Sequence, residues 1–338
     1  MERRVMSLGR SSLVISLPKN WMQLNELNKG DVVSFAIQRD RSLVIYPGAK
    51  KKTETKETTL RINPNEDELV ITMKILGSYL NGYSGITLIS ETVFSVPQIK
   101  AIRKTAGMLY LRIMESNSKG VFIQTLMDET KADLKVTLQR MHMLSQSMGE
   151  DAIKALKNKD IALAKAVFSL DDDVYHFVYF LSRVLRNAIQ DSVLTKEFRI
   201  DPLECMDYQT LVYMMRDVAD NSAEIARHVI MLCGIQQDIP GNVLELMSIA
   251  GNEALNLYVK AVDSVFSKNV SESIEILRQR EEIAKLDSEI AARAFAEKQK
   301  NEQLICAICS IRDSIKRIAD CAAAIGRIAI NRAFSEST

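Results

Sequence analysis

Four cations near the start of the chain, Arg3, Arg4, Arg10 and Lys19, form the first group with a chemistry of its own. Guanidinium groups offer paired donors to phosphate oxygens or to the edge of guanine, and a lysine adds a point charge, so the group suits a polyanion. Their surroundings agree. Residues 1–56 hold eleven Lys/Arg against five Asp/Glu, a net of +6, while the remaining 282 residues hold 33 against 38, a net of −5. The overall +1 therefore hides a basic head on a mildly acidic body, the charge pattern of a chain that meets a polyanion at one end only.

A second group lies in the distal half. Arg216 stands four residues before Asp220, and Lys316 four before Asp320. Residues at i and i+4 share a helix face, so each cation is placed to pair with its aspartate. Cys306-x-x-Cys309 supplies two of the four ligands of a structural zinc, with no second Cys or His pair at zinc spacing. These two cysteines are expected as small core residues. His142, His176 and His228 are isolated, His176 being placed to face Asp172 or Asp173 across a turn; Met141, Met143, Met148, Met214 and Met215 are expected in a helical core. The sequence contains no phosphate-cradling Gly-x-x-x-x-Gly-Lys, no dinucleotide Gly-x-Gly-x-x-Gly and no His-Glu-x-x-His. The expectation is a protein that is not an enzyme and needs no cofactor.

A chain of 338 residues with 47% hydrophobic and 26% charged residues is globular and long enough for two or three domains. Five cysteines, an odd and sparse set, fit a reducing compartment. The longest uncharged run, Ile75 to Ser90, is glycine-interrupted and too short to span a bilayer, and no secretory leader pattern opens the chain; a soluble cytoplasmic protein is expected. Four of six prolines and eight of thirteen glycines precede residue 131, so the rest should be long helices. Short strands are predicted within 3–17, a short helix after Pro18, and a hairpin from Asp31–Ile37 and Ser42–Tyr46. An α+β layer follows, with a strand over Thr58–Ile62, a helix over Asn65–Leu80 capped by Asn65, a strand over Ile86–Ile89, a helix over Pro97–Thr105 and a closing hairpin. Six helices are predicted at 131–157, 160–194, 203–233, 240–267, 270–298 and 300–334. Asn158-Lys159-Asp160 and Ser267-Lys268-Asn269 form similar joints, and Arg216-Asp-Val-Ala-Asp220 aligns with Lys316-Arg-Ile-Ala-Asp320, which points to a duplicated three-helix unit.

The order Arg3-Arg4, Gly9-Arg10, Leu17-Pro18-Lys19-Asn20-Trp21, Lys29-Gly30-Asp31 and Ser42-Leu-Val-Ile-Tyr-Pro47 resembles the AbrB/SpoVT-type DNA-binding domain. The resemblance implies a swapped-hairpin β dimer over 1–48 whose strands and loops present Arg3, Arg4 and Arg10 to DNA with Lys19 in support. Asn20 and Gln23 stand where members of that family often carry further basic residues. The duplicated helices, with Val167-Phe-Ser-Leu-Asp171-Asp-Asp-Val174 and the endings at Asp220 and Asp320, resemble the PhoU family of phosphate-uptake regulators. That resemblance implies a mainly α body of two PhoU-like bundles, 131–235 and 236–335, behind an α+β connector at 57–130. Relatives commonly bind metal clusters through an acid four positions before the third-helix aspartate; here those positions are Arg216 and Lys316, cations that repel a metal, and Asp171 with Asp220 is the pair the resemblance leaves to test for one. The two resemblances together imply a homodimeric, phosphate-responsive transcriptional regulator with DNA, its own second copy and a phosphate ABC transporter component or sensor protein as partners. The alternative is an adaptor that restrains a phosphate transporter and uses its head to dimerise.

Overall fold

The structure, a computed structural model, describes residues 2–9, 12–37, 41–48, 56–127, 133–190, 198, 200–235, 238–296 and 301–335. The chain divides into two compact units, Met1–Lys56 and Glu57–Thr338.

In the first unit, β1 (Met6–Leu8) pairs antiparallel with β2 (Ser12–Val14), Met6 opposite Val14. Helix α1 (Lys19–Leu24) starts directly after Pro18, whose ring fixes the entry angle. A second hairpin joins β3 (Val33–Ile37) to β4 (Leu43–Pro47), with Val33 opposite Pro47 and Ile37 opposite Leu43. None of the described residues of this unit whose burial is resolved is buried.

The second unit opens with a four-stranded mixed sheet. Its strands are β5 (Glu57–Ile62), β6 (Gly85–Ser90), β7 (Leu111–Ser116) and β8 (Gly120–Thr125), in the order β5-β6-β8-β7, with β5 and β6 parallel and the remaining pairs antiparallel. Helices α2 (Glu68–Leu80) and α3 (Val96–Met108) make the crossovers. Alternate strand residues, Ile62, Ile86, Leu88 and Ile123 among them, meet Ile71, Ile75, Tyr79 and Ile102 of the helices in one small core. Asp67, not Asn65, caps α2: Glu66 N–H bonds to Asn63 O at 3.1 Å, which folds Asn65 into a turn and leaves Asp67 extended, its Oδ1 accepting from Leu69 N at 2.7 Å.

Among the described residues seven helices follow: α4 (Leu134–Asn158), α5 (Ile161–Ser169), α6 (Asp171–Gln190), α7 (Pro202–Leu232), α8 (Gly241–Ser267), α9 (Val270–Ala296) and α10 (Glu302–Phe334). They share one hydrophobic core, with Met141, Leu181, Met215, Tyr258, Ile283 and Ile318 inside it. The single helix expected over 160–194 is two helices, α5 and α6. The turn tightens where Leu170 N bonds Val167 O, and Asp171, Asp172 and Asp173 then occupy the first turn of α6, where a helix dipole favours negative charge. The duplicated joints are alike in detail. Lys159 (φ 55°, ψ 38°) and Lys268 (φ 55°, ψ 36°) both take the left-handed conformation, at a cost of about 1 kcal/mol each. Each is followed by a capping side chain, Asp160 for Leu163 N and Asn269 for Glu272 N.

The first helices of the two repeats, α4 and α8, cross closely. A β-carbon at Gly149 would lie 2.3 Å from Leu255, and one at Gly251 would lie 2.4 Å from Ile153. Beside this crossing the buried hydroxyls of Ser145 and Tyr258 are 2.6 Å apart. Met141, Met148 and Met215 are buried, and Met214 packs partly against the core. Met143 is 67% exposed, because the inward face of α4 runs through Met141, Ser145, Met148 and Ala152. Cys306 is exposed and Cys309 half-buried, contrary to the core role expected of them, since α10 turns Leu304, Ala307, Ile308 and Ile311 inward. Among the described residues no helix is long and apolar enough to cross a membrane.

Candidate functional site

The basic head carries the first candidate site. Arg3, Arg4 and Lys19 are all exposed, Lys19 at the start of α1, whereas Arg10 lies outside the described residues. Large apolar side chains of the same unit are exposed too: Leu13 is 74% accessible, Ile37 78%, Phe35 58% and Leu24 82%. Small units gain little stability while such side chains stay in water, and among the described residues of this one none with resolved burial is buried.

The second candidate is the groove between α6 and α7, where Asp171, Tyr175, Arg216, Asp217 and Asp220 interact. Arg216 Nη2 lies 2.5 Å from Asp217 Oδ1, and its Nε lies 3.4 Å from Asp220 Oδ2. Tyr175 of α6 is close enough to Asp220 that the carboxylate, after burial, helps raise the phenol above its usual range. Burial raises Asp220 to about 6, the nearby carboxylates of Asp171 and Asp217 add to the rise, and Arg216 opposes it. Burial, with the neighbouring Asp172, also raises Asp171, against the pull of Arg227. The structure thus brings Asp171 and Asp220 within electrostatic reach of one another. At the matching place in the second repeat Arg280 of α9 donates to Asp320 Oδ1 from Nε at 2.7 Å and Nη2 at 2.5 Å. A further pair, Arg312 Nε to Asp287 Oδ1 at 2.8 Å, joins α10 to α9.

These residues do not fit a metal. Divalent ions need several carboxylate, thiolate or imidazole ligands on one point, and among the described residues no group of three or more His, Cys, Asp or Glu could hold one.

The third element of the site is the grip of the body on the α+β layer, which sequence reasoning missed. Arg183 of α6, 1% exposed, donates to the carbonyl oxygens of Tyr79 and Tyr83 at the end of α2 and stacks over the Tyr79 ring. Arg186 Nε donates to Leu80 O at 3.2 Å and its Nη2 to Asn81 Oδ1 at 3.1 Å. Gly82, at φ 87°, leaves room for Asn187; a β-carbon there would lie 2.6 Å from the Asn187 Oδ1. His176 Nδ1 lies 2.7 Å from Met108 O, and its ring sits 4.3 Å from that of Tyr110. It thus anchors α3 rather than facing Asp172 or Asp173 as expected. The last carbonyls of a helix have no partner inside it, so α6 supplies partners to the ends of α2 and α3. Tyr179 packs against the core of the layer and lies 5.9 Å, ring to ring, from Tyr175, which feels the charge of Asp220. The groove and the layer therefore meet on one helix.

A repeated helical body with a mixed-sheet layer, and a small β head, make a two-part architecture. The sequence profile of the PhoU domain matches residues 138–229, and that of the bacterial antitoxin MazE, an antidote-toxin recognition domain, matches residues 7–53. Residues 7–53 are therefore similar to a MazE/AbrB-type antitoxin-like domain and residues 138–229 to a PhoU domain. The solved structure of PhoU from Pseudomonas aeruginosa is similar at 18% identity, over 61% of this chain and 97% of that one, with a TM-score of 0.52. This likeness shows the fold of the body, over a stretch more than twice that of the PhoU profile. PhoU from Streptococcus pneumoniae aligns at 19% identity over 61% of this chain and 95% of that one, with a TM-score of 0.48. No curated protein matches the chain.

Proposed function

We propose that the chain is a phosphate-responsive transcriptional regulator that binds DNA as a homodimer through its N-terminal unit, with the PhoU-type body receiving the signal. One observation carries the reading: a head with exposed Arg3, Arg4 and Lys19 and an uncovered apolar surface is joined to a body of PhoU fold. A second copy covers the apolar surface and doubles the cations, giving a dimer with Arg3, Arg4, Arg10 and Lys19 as its DNA-facing set. The domain bounds that go with this reading are 1–48, 57–130, 131–235 and 236–335. A partner that binds the body changes DNA affinity to the extent that it prefers one arrangement of the two heads.

The test is binding of a labelled promoter fragment across a salt series. Neutralising several phosphates makes log affinity fall linearly with log salt, at about 0.9 per phosphate contact. Arg10→Ala or Arg4→Ala is expected to flatten that slope by about 1 to 2 in a dimer, and the wild type to prefer promoter over random duplex. A slope near zero with no sequence preference instead favours an adaptor that acts on a phosphate transporter through the body and uses its head only to dimerise.

A further inference from the structure

The duplicated body carries two equivalent aspartates, Asp220 on α7 and Asp320 on α10. Each has a guanidinium group against it, but the two arrive by different routes. In the first repeat the arginine comes from the same helix, one turn earlier, with Arg216 held between Asp217 and Asp220. In the second it comes from the facing helix, Arg280 of α9 placing two nitrogens on one oxygen of Asp320. The place that matches Arg216 is Lys316, and the place that matches Arg280 is Asp171. The second-helix place changes from acid to base between the repeats while the third-helix place stays basic, and both third-helix aspartates end beside a fixed positive charge.

We propose that Arg216 and Arg280 are the resident cations of the two grooves, guanidinium groups standing where converging carboxylates would otherwise call for a divalent metal ion, so that this body holds its shape without metal. Three features carry this. Arginine stays charged at every working pH and its planar donors fit a carboxylate edge. Its cation is part of the chain, so its occupancy does not depend on concentration, whereas a bound ion stabilises only as far as its free level exceeds its dissociation constant. A positive charge within hydrogen-bond reach of the carboxylate also repels an arriving dication. The convergence from two different sequence positions sets this apart from an incidental surface pair, because a chance pair has no reason to recur at the equivalent aspartate.

The first groove also shows what the arginine displaces. Asp171 is close enough to raise the proton affinity of Asp220, and its buried Oδ1 accepts no hydrogen bond. Replacing Arg216 with glutamate places carboxylates at 216 and 220, one helical turn apart, facing that of Asp171, and so assembles three acidic ligands from two helices.

The experiment uses the full chain, equilibrated with Mn2+, Fe2+, Zn2+ or Mg2+, desalted and analysed for bound metal, with melting followed in parallel with and without EDTA. Wild-type protein is expected to retain well under one ion per chain and to melt within about 1 °C under all conditions. Arg216→Glu, verified as folded by circular dichroism, is expected to take up close to one ion per chain and to gain about 5 °C from excess Mn2+. For the second groove, Arg280→Gln is expected to lower the melting temperature by about 2 °C, and Arg280→Gln/Asp320→Asn to recover most of that loss. Stoichiometric metal in the wild type, or a fall of several degrees in EDTA, overturns the proposal without any variant being needed. A folded Arg216→Glu chain that gains no metal response overturns it for the first groove, and equal melting of wild type, Arg280→Gln and the double variant overturns it for the second.

Discussion

Replacing Arg183 with methionine removes a guanidinium that is 1% exposed and donates to the carbonyls of Tyr79 and Tyr83. Methionine keeps much of the aliphatic length, so the change mainly removes the hydrogen bonds and the stacking over the Tyr79 ring, 4.6 Å from its centroid. A hydrogen bond from a charged donor contributes about 1.5–3 kcal/mol, and a buried carbonyl left without a partner costs about 1–3 kcal/mol. Relief of the desolvation that the buried charge suffers offsets part of this, leaving a net loss of about 3 kcal/mol in the docking of the α+β layer on α6. If layer and helices unfold together, the melting temperature falls by about 6–10 °C. The location of the loss is the sharper readout. Hydrogen exchange followed by mass spectrometry should show peptides over 76–83 and 176–186 exchanging up to about a hundredfold faster, while those of α8 and α10 stay protected. Unchanged protection at 76–83, to within about twofold, would refute the assignment of Arg183 as the anchor of the layer.

Two further predictions rest on the helical body. Asp220 rises from 3.8 to about 6 in the folded chain, so the folded state binds more protons than the unfolded one between those values, and stability is lost as pH rises through about pH 4–6. With its side chain 35% exposed, the effect is discounted for screening to about 1 kcal/mol. Asp220→Asn should therefore stabilise the protein by about that much at pH 7 and not at pH 4, as read by urea unfolding at the two pH values; destabilisation at pH 7 would count against it. Gly149→Ala drives a β-carbon to 2.3 Å from Leu255 and should cost about 2–3 kcal/mol in thermal or urea unfolding. Leu255→Ala in the same chain should recover part of that cost, and a strictly additive double variant would show that the crossing of α4 and α8 is not the point of strain.

What could be read from the sequence was mostly local. The lysine joints at 159 and 268, the hairpins of the head and the helical period of the body depend on neighbouring residues, and the structure has them within a few positions. The pairing of Arg216 with Asp220 was legible for the same reason, because the i, i+4 rule operates within one helix. Asp320 shows the limit of that rule. Lys316 occupies the i−4 place, yet the close pair comes from Arg280, forty residues away on a facing helix, which no spacing rule reaches. Arg183 was invisible for a related reason: an arginine in the middle of an amphipathic helix reads as a solvated charge until the carbonyls of another element are placed over it. The break at Leu170 had a local signal, the run of three aspartates, since three adjacent acids suit the start of a helix better than its interior.

The anchoring of the α+β layer by α6 has a practical side. A truncation that begins at residue 131, where the helices start, strips Arg183, Arg186 and His176 of the carbonyls they bind and uncovers Tyr179. Such a fragment carries a wound on its first repeat, and its poor behaviour in solution would say nothing about the PhoU fold. A cut ahead of Glu57 leaves every one of those bonds whole, and it is the fragment of choice for asking what the body does when the head is gone.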